Sequence, residues 1–176
     1  MTDKPPERLW LDRMPTPIGE ALVVTDDAGI LRAFDWADRQ SGMTRLLRLH
    51  YGSLTPEPRP APSRVRRLLQ QYFEGDLECL ASIEWRTGGT PFQRSVWKGL
   101  TTIPPGETLT YSALAAKLEC PRSVRAVGAA NGSNPISVVV PCHRLIGADG
   151  SLTGYGGGLE RKQWLLNHEG TRLPRV

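Results

Sequence analysis

The chain of 176 residues has few of the residues that hold small domains together covalently or through metals. It contains three cysteines, Cys79, Cys120 and Cys142, which are far apart and odd in number. This argues against a disulfide framework and favours a reducing compartment. The sequence also has only three histidines, and it contains no Cys-x-x-Cys motif. We therefore expect no metal site.

Long apolar runs are missing as well. No stretch approaches the roughly 18 apolar residues that a membrane-spanning helix needs. The first residues are polar and include acids, which is unlike a signal peptide. The expectation is a cytoplasmic protein that does not engage a membrane, and 39% hydrophobic and 23% charged residues are typical of a globular chain.

Charge is unevenly distributed along the chain. From residue 91 onward there are ten Lys and Arg against five Asp and Glu, whereas residues 1–90 hold twelve against thirteen. A basic C-terminal half fits a polyanionic partner such as nucleic acid, although such asymmetry is also common in proteins that only need to be soluble.

The N-terminal half has the pattern of a small α+β scaffold. Short apolar runs predict strands at 9–11, 21–25 and 30–34, with a hairpin at Asp26–Gly29 and turns around Pro15 and Pro17. Helical spacing of apolar residues predicts helices over 39–50 and from Ser63, a candidate N-cap, to Phe73. No chemistry is visible in this half.

The C-terminal half is predicted to begin at a flexible boundary near residue 88 and to be mostly helical. Helices are predicted over Phe92–Ile103, over Tyr111–Leu118 with Thr110 as N-cap, and over Pro121–Asn131. The last two, joined by a tight turn, fit a helix-turn-helix unit. The small residues of 121–131 would let its backbone approach DNA, or would equally suit a tightly packed internal helix.

A candidate nucleophile follows the apolar run 136–140, which predicts a buried strand. Cys142 and His143 come next, after Pro141. In an extended strand these two side chains point to opposite faces, so they cooperate only if the chain turns there or a water bridges them. The alternative is an inert buried thiol beside a structural histidine.

The glycine-rich segment 153–158 is predicted to be irregular, with backbone able to approach a ligand closely. It lacks the signature of a phosphate-binding loop, which we exclude. A helix is predicted over 159–168, ending near Gly170. Glu169 in its last turn lies four residues after Leu165, so it faces either inward, with His143 as its natural partner, or outward as a surface acid.

The residues from about Gly89 to Gly170 resemble the O6-alkylguanine-DNA alkyltransferases, or methylated-DNA–protein-cysteine methyltransferases. The Pro-Cys-His-Arg run of 141–144 carries most of this resemblance. The other matching segments are Thr90–Gln93, Arg125–Gly128, Asn134-Pro135, Gly154-Tyr155, Gly157-Gly158, Trp164–Leu166 and His168–Gly170. The N-terminal half is similar more loosely, and the bacterial constitutive form is the most similar type.

The resemblance implies an N-terminal ribonuclease H-like roll, residues 1–88, and a DNA-binding and alkyl-transfer domain, residues 89–176. It implies direct-reversal repair, in which Cys142 accepts an alkyl group from O6-alkylguanine, or also O4-alkylthymine, once per chain. His143 would take the thiol proton through a water, and Glu169 would orient that histidine. Asn134 would brace the turn beside the site, and Tyr111 would protonate the departing guanine.

The partner implied is double-stranded DNA, bound by a monomer, with cooperative binding left open. Arg125 would enter the base stack in place of the flipped nucleotide. The other residues implied to contact DNA are Arg122, Ser123, Ala126, Ala130 and Tyr111. The base pocket would comprise Tyr155, Gly156, Leu145 and Pro141, with the carbonyls of Cys142 and Leu145 as acceptors.

No cofactor is implied. Two departures from the family are visible: Gly156 stands where some members carry a serine, and the zinc ligands found in the N-terminal half of some members are missing. The rival functions are a module that binds alkylated guanine without transfer, a cysteine hydrolase or acyltransferase using Cys142, and an added transcriptional role. Known modules that bind alkylated guanine without transfer lack the acceptor cysteine. A hydrolase or acyltransferase would catalyse many turnovers, and a transcriptional role would need a further domain.

Overall fold

Both halves of the chain combine strands and helices. Residues 4–173 are described by a computed structural model, and the chain divides into two units, up to Gly89 and from Thr90 onward. The expected α+β class, with a sheet and helices in the N-terminal half, is confirmed.

The N-terminal unit is built on a four-stranded sheet in the order β3-β2-β1-β4. The strands are β1 (Leu9–Thr16), β2 (Gly19–Asp26), β3 (Leu31–Trp36) and β4 (Glu57–Pro58). The first three are antiparallel neighbours and β4 is parallel to β1. The strands are longer than predicted: Pro15, expected to separate them, lies inside β1 opposite Glu20, next to the turn.

Strand β2 is buried on both faces, which explains its continuous apolar run. On one face Leu22 and Val24 pack with Met43 and Leu47 of helix α1 (Gln40–Tyr51). On the other face lie the rings of β3 and of helix α2 (Ser63–Phe73), whose Phe73 is 6.5 Å from Trp36 between ring centroids. Burial of this many apolar side chains is the main stabilising contribution to the unit.

The predicted cap of α2 was wrong. The N-cap residue is Pro62, and Ser63 is the first helical residue and makes no capping hydrogen bond. Proline at this place ends the preceding loop and sets the entry of the chain into the helix without a side-chain cap.

The C-terminal unit is mostly helical, as predicted. Its helices are α3 (Pro91–Leu100), α4 (Tyr111–Lys117), α5 (Val124–Gly132) and α6 (Leu159–His168), and a short parallel pair joins β5 (Leu109–Thr110) to β6 (Leu145–Ile146). Thr90 and Gln93 form a capping box at the start of α3. The buried Trp97 donates from Nε1 to the carbonyl of Ala130 at 2.8 Å, which fixes α3 against α5.

Helix α5 begins later than predicted. Pro121 was expected to open it, but residues 121–123 form a turn and the first helical residue is Val124. The turn is held by backbone bonds, from Cys120 to the carbonyl of Ala115 and from Ser123 to that of Cys120. The first bond satisfies a carbonyl group at the end of α4, and the second closes the turn that precedes α5.

The predicted N-cap of α4 is confirmed and gives a test of local stability. The Thr110 hydroxyl accepts from the backbone N–H of Ala113 at 3.1 Å. Thr110→Ala should lower the free energy of unfolding by about 1 kcal/mol, because an N–H at the helix start loses its partner. Thr110→Ser, which keeps the hydroxyl, is the matched control. Denaturant unfolding followed by circular dichroism measures both, and equal losses in the two variants would contradict a capping role.

Candidate active site

The segment before Cys142 is a run of tight turns, so the strand predicted over 136–140 was wrong. Val139 donates to the carbonyl of Ser137, and Cys142 to that of Val140, each at 2.8 Å. Within the first of these turns, Val138 has a φ of +71°, a conformation that β-branched residues rarely adopt. The apolar sequence reflects burial of the segment, which a strand and a buried loop share.

Asn134 replaces the hydrogen bonds that a neighbouring strand would have supplied. Its side-chain oxygen accepts from the N–H of Ile136 at 2.9 Å, and its amide donates to the carbonyl of Val140 at 2.8 Å. Buried backbone groups need such partners, so this one side chain makes an irregular buried segment tolerable. The position of Asn134 beside the turn agrees with the bracing role expected of it.

Cys142 begins a short 3-10 helix that extends to Arg144. The chain therefore turns at the point where an extended strand would have placed Cys142 and His143 on opposite faces. All three residues are buried; Cys142 is 5% exposed and His143 fully buried. This removes the geometric objection to cooperation between the thiol and the imidazole.

Glu169 faces inward and contacts His143, which is the first of the two alternatives left open by its spacing. It caps the end of α6, and its Oε1 lies 2.9 Å from Nε2 of His143, 26 residues away in the sequence. Arg144 binds the same carboxylate with two donors, Nε to Oε2 at 2.9 Å and Nη2 to Oε1 at 2.8 Å. The third guanidinium nitrogen of Arg144 donates to the carbonyl of Ile103.

These contacts determine which nitrogen of His143 can accept a proton. An ionised carboxylate only accepts hydrogen bonds, so Nε2 must carry the ring proton and Nδ1 must hold the lone pair in the neutral imidazole. Nδ1 is buried and has no hydrogen-bond partner among the described residues. The imidazole is therefore oriented to accept a proton at Nδ1.

Burial and charge act in opposite directions on the two partners. Complete burial lowers the pKa of His143, and although Glu169 raises it, Arg144 and Lys162 lower it further. Burial alone would raise the pKa of Glu169, but the charges and hydrogen bonds of His143 and Arg144 hold it well below its usual range. The resting pair is thus a carboxylate beside a neutral imidazole.

A buried lysine lies within range of a charge interaction with Cys142. Lys162 of α6 is fully buried, and its ammonium group donates to the carbonyls of Leu145 and, at 2.7 Å, Thr153. Burial lowers its pKa to about 8, while negative charge on Cys142 acts in the opposite direction. Because this interaction is reciprocal, the ammonium group favours the thiolate form of Cys142.

The glycine-rich segment begins at Thr153, whose carbonyl accepts from Lys162, and ends at the start of α6. Tyr155 is half-buried and its hydroxyl oxygen is fully buried, whereas Gly156 is exposed. Gly158 directly precedes α6 with a φ of +95°, a conformation that favours glycine. Pro141 and Leu145, the other expected pocket residues, are both buried beside Cys142 in the chain.

Helix α5 connects the exposed surface with the buried site. Arg125 and Ala126 are exposed on it, and the side-chain amide of Asn131, also on α5, is 3.4 Å from the carbonyl of Cys142. Tyr111, at the start of α4, faces Gly128: a Cβ built on this glycine would lie 3.8 Å from the tyrosine ring. The hydroxyl of Tyr111 is 3.4 Å from that of Thr153.

Two of the expected DNA contacts lie outside the helix on which they were predicted, and a third is buried. Arg122, which is exposed, and Ser123, which is partly exposed, lie in the turn before α5 rather than on the helix. Ala130 is only 2% exposed, and its carbonyl is bonded by Trp97 and Ser133, so it faces α3 and not the surface. The spacing of small residues could not distinguish these faces, because alanine suits both.

Sequence reasoning missed Arg144, Lys162 and Asn131. A signal existed for Lys162, which lies three and four residues before the buried Leu165 and Leu166 and so shares their face of α6. Arg144 gave no comparable signal, because a charged residue next to a histidine is most often exposed.

The described residues include no group of three or more potential metal ligands. Within residues 4–173, no helix has the length and apolar character needed to cross a membrane.

Comparison with known proteins shows the family of the chain. The family model "6-O-methylguanine DNA methyltransferase, DNA binding domain" matches residues 91–171. The chain is 48% identical over 168 residues to the methylated-DNA–protein-cysteine methyltransferase of Shigella flexneri, covering 94% of this chain and 98% of that protein. The Salmonella typhimurium protein of the same name is 49% identical with the same coverage.

Solved structures give the same result. A crystal structure of Mycobacterium tuberculosis O6-methylguanine methyltransferase has a TM-score of 0.76 and 38% identity, covering 96% of both chains. A Mycobacterium tuberculosis structure described as OGT in complex with DNA has a TM-score of 0.75 and covers 89% of this chain and 90% of that one. The chain belongs to the family of methylated-DNA–protein-cysteine methyltransferases.

The buried ammonium of Lys162 gives the test of this site. Lys162→Met keeps the apolar stem but removes the charge, so the pH at which the Cys142 thiolate forms should rise by about one unit, with roughly tenfold slower alkylation by iodoacetamide near neutral pH. Since the pKa of Lys162 is about 8, the wild-type advantage should shrink above pH 8.

Peptide mass spectrometry separates Cys142 from the other two thiols in this experiment. Lys98→Met, which removes an exposed charge on α3, is the matched control and should leave the pH profile unchanged. An identical titration midpoint in Lys162→Met and wild type would show that the ammonium does not support the thiolate.

Proposed function

We propose that the chain repairs O6-alkylguanine in double-stranded DNA by moving the alkyl group onto Cys142. The observation that carries this proposal is the buried series of Cys142, His143 and Glu169, in which Nδ1 of His143 is left to accept a proton. The names of the relatives, methylated-DNA–protein-cysteine methyltransferases, support the same reaction.

The proposed reaction is a single displacement at the alkyl carbon. Cys142 loses its proton to Nδ1 of His143 through a water, and Glu169 stabilises the imidazolium that forms. The sulfur then bonds to the alkyl carbon as the bond from that carbon to O6 of guanine breaks. Tyr111 supplies a proton to the departing guanine and regains one from solvent, while His143 releases the thiol proton to solvent, so the net number of protons is unchanged. The thioether has no easy reversal, and each chain reacts once.

The base pocket is proposed to comprise Tyr155, Gly156, Leu145 and Pro141. The carbonyls of Cys142 and Leu145 would accept from the amino group of the base. Each already receives one hydrogen bond, from Asn131 and Lys162 respectively, but a carbonyl oxygen has two lone pairs and can accept a second. Gly156 has no side chain and would offer only its backbone N–H near O6. The pocket would therefore have room for larger alkyl groups, and O4-alkylthymine is a candidate substrate as well.

Helices α4 and α5 are proposed to act as a helix-turn-helix unit on DNA. Arg125 would enter the base stack while the damaged nucleotide is flipped into the pocket, since the alkyl carbon is inaccessible within the duplex. Exposure of Arg125, Ala126 and Arg122 supports this placement. Tyr111 and Ser123 would contact the backbone beside the flipped nucleotide.

The division of labour between the two halves is also a proposal. Residues 1–88 would form a ribonuclease H-like scaffold, and residues 89–176 would bind DNA and carry out the transfer. We propose that the protein acts on DNA as a monomer in the cytoplasm. The compartment is supported by Cys79, Cys120 and Cys142, none of which is in a disulfide.

The mass of the intact protein tests the transfer. After incubation with a duplex that carries one O6-methylguanine, the wild type should gain one methylene mass per chain, and Cys142→Ala should gain none. Cys120→Ala, which removes a partly exposed thiol, is the matched control and should gain mass like the wild type. Tight binding of the lesion without a gain in mass would indicate a damage-binding module, and release of more than one product per chain would indicate a turnover enzyme.

Arg125 provides a separate test of base flipping. Arg125→Ala should slow transfer from duplex DNA by about tenfold or more, because the vacated position in the stack is not filled. Reaction with free O6-alkylguanine base should stay at the wild-type rate, since no nucleotide needs to be displaced. Lys98→Ala is the control for loss of one positive charge. Equal slowing with duplex and free base would instead mean that Arg125 acts on the chemical step.

A further inference from the structure

Two residues, His143 and Arg144, donate hydrogen bonds to the carboxylate of Glu169. Its Oε1 accepts from both Nε2 of His143, at 2.9 Å, and Nη2 of Arg144, at 2.8 Å. Its Oε2 is held by Nε of Arg144 at 2.9 Å. The guanidinium therefore binds the carboxylate through both oxygens, a geometry that fixes the plane of the carboxylate as well as its position.

We propose that Arg144 is a positioning residue, whose two hydrogen bonds to Glu169 orient that carboxylate toward His143 and whose charge keeps the imidazole neutral before reaction. This rests on the proposed function, in which His143 accepts the thiol proton. Arg144 has no part in bond making or breaking.

The charge effect follows from the surroundings of His143. If the carboxylate faced only an imidazole, it would strongly favour the imidazolium, because no other group would neutralise the negative charge of the carboxylate in the interior. A histidine that is already protonated cannot accept the proton of Cys142. Since Arg144 neutralises Glu169 first, the carboxylate still orients the ring but attracts a proton onto it less strongly.

The charged groups on the elements packed around His143 act on its pKa in opposite directions, and the cations outnumber the acid. Glu169, at the end of α6, is the acid, and Arg144 and Lys162 are the two neighbouring cations. Cys142, the adjacent residue, is the proton donor. Burial, Arg144 and Lys162 together lower the pKa of His143 despite the contact with Glu169.

The orienting effect depends on the shape of the guanidinium. Arg144 also donates to the carbonyl of Ile103, so its position is determined by three acceptor atoms on two different segments. A lysine at this position would keep the charge but could not bind both carboxylate oxygens in the same fork geometry. The two contributions, charge and orientation, can therefore be separated by substitution.

Two variants test the proposal through the pH dependence of single-turnover transfer from duplex O6-methylguanine. In Arg144→Gln the charge is lost, so the acid limb of the rate profile should move to higher pH by about one unit, equivalent to a tenfold loss of rate on that limb. In Arg144→Lys the limb should stay where it is in the wild type, while the rate on the plateau falls by about tenfold because the carboxylate is less well oriented. Lys98→Gln, which removes an exposed charge, is the control for both.

A direct titration of His143 by NMR, with labelled histidine, accompanies the kinetics. It needs no DNA, so it distinguishes failure of this inference from failure of the proposed function. In the wild type His143 should titrate below the ordinary value of about 6.5, and in Arg144→Gln above the wild-type value. With only three histidines in the chain, the signals can be assigned with His50 and His168 variants.

The inference is overturned by any of three results. One is a wild-type His143 that titrates at or above the ordinary value. Another is an Arg144→Gln profile that falls equally at every pH, which would indicate a merely structural arginine. The third is an Arg144→Lys variant with wild-type rates throughout, and this remains decisive if Arg144→Gln does not fold.

Discussion

The buried carboxylate of Glu169 is the interaction on which the candidate site depends. An isolated charge in the interior is very unfavourable, and it is tolerated here because Arg144 and His143 donate three hydrogen bonds to it. Those bonds join the 3-10 helix of Cys142 to the end of α6, and Arg144 extends them to the end of α3 through Ile103. The turn after α3 lies close to Glu169 and needs glycine: a Cβ at Gly106, whose φ is +85°, would lie 3.1 Å from the backbone oxygen of Glu169.

The surrounding segments bury the cluster of Glu169, His143 and Arg144 and fix the orientation of its side chains. The turns before Cys142 hold Val138 in an unfavourable backbone conformation, and Asn134 compensates by bonding the backbone of the same segment at both ends. Lys162 ties β6 to the glycine-rich segment through two carbonyls and brings a positive charge to the thiol. The site is therefore a set of mutually dependent polar contacts inside an apolar unit, in which removal of one partner leaves another buried without compensation.

Much of the fold could be predicted from periodicity, and the two errors that concern the candidate site and its DNA surface share one cause. Strands β1, β2 and β3, helices α1 to α6 and the cap at Thr110 all follow from local patterns. The segment 136–140 was predicted to be a strand because its apolar residues indicate burial, and burial alone does not distinguish a strand from a braced loop. Ala130 was assigned to the DNA surface because a small side chain carries no information about which face of α5 it occupies.

The sequence by itself determined which thiol is the candidate nucleophile and which residue is its nearest candidate base, because Cys142 and His143 are neighbours in the chain and no other cysteine lies beside a histidine. It also determined the basic character of the C-terminal half, which depends on residue type alone. Only the tertiary structure decided that the chain turns at Cys142, that Glu169 is shared by His143 and Arg144, and that Lys162 is buried. These contacts join residues from 17 to 41 positions apart, or depend on which face of a helix is covered, and packing rather than local preference determines both.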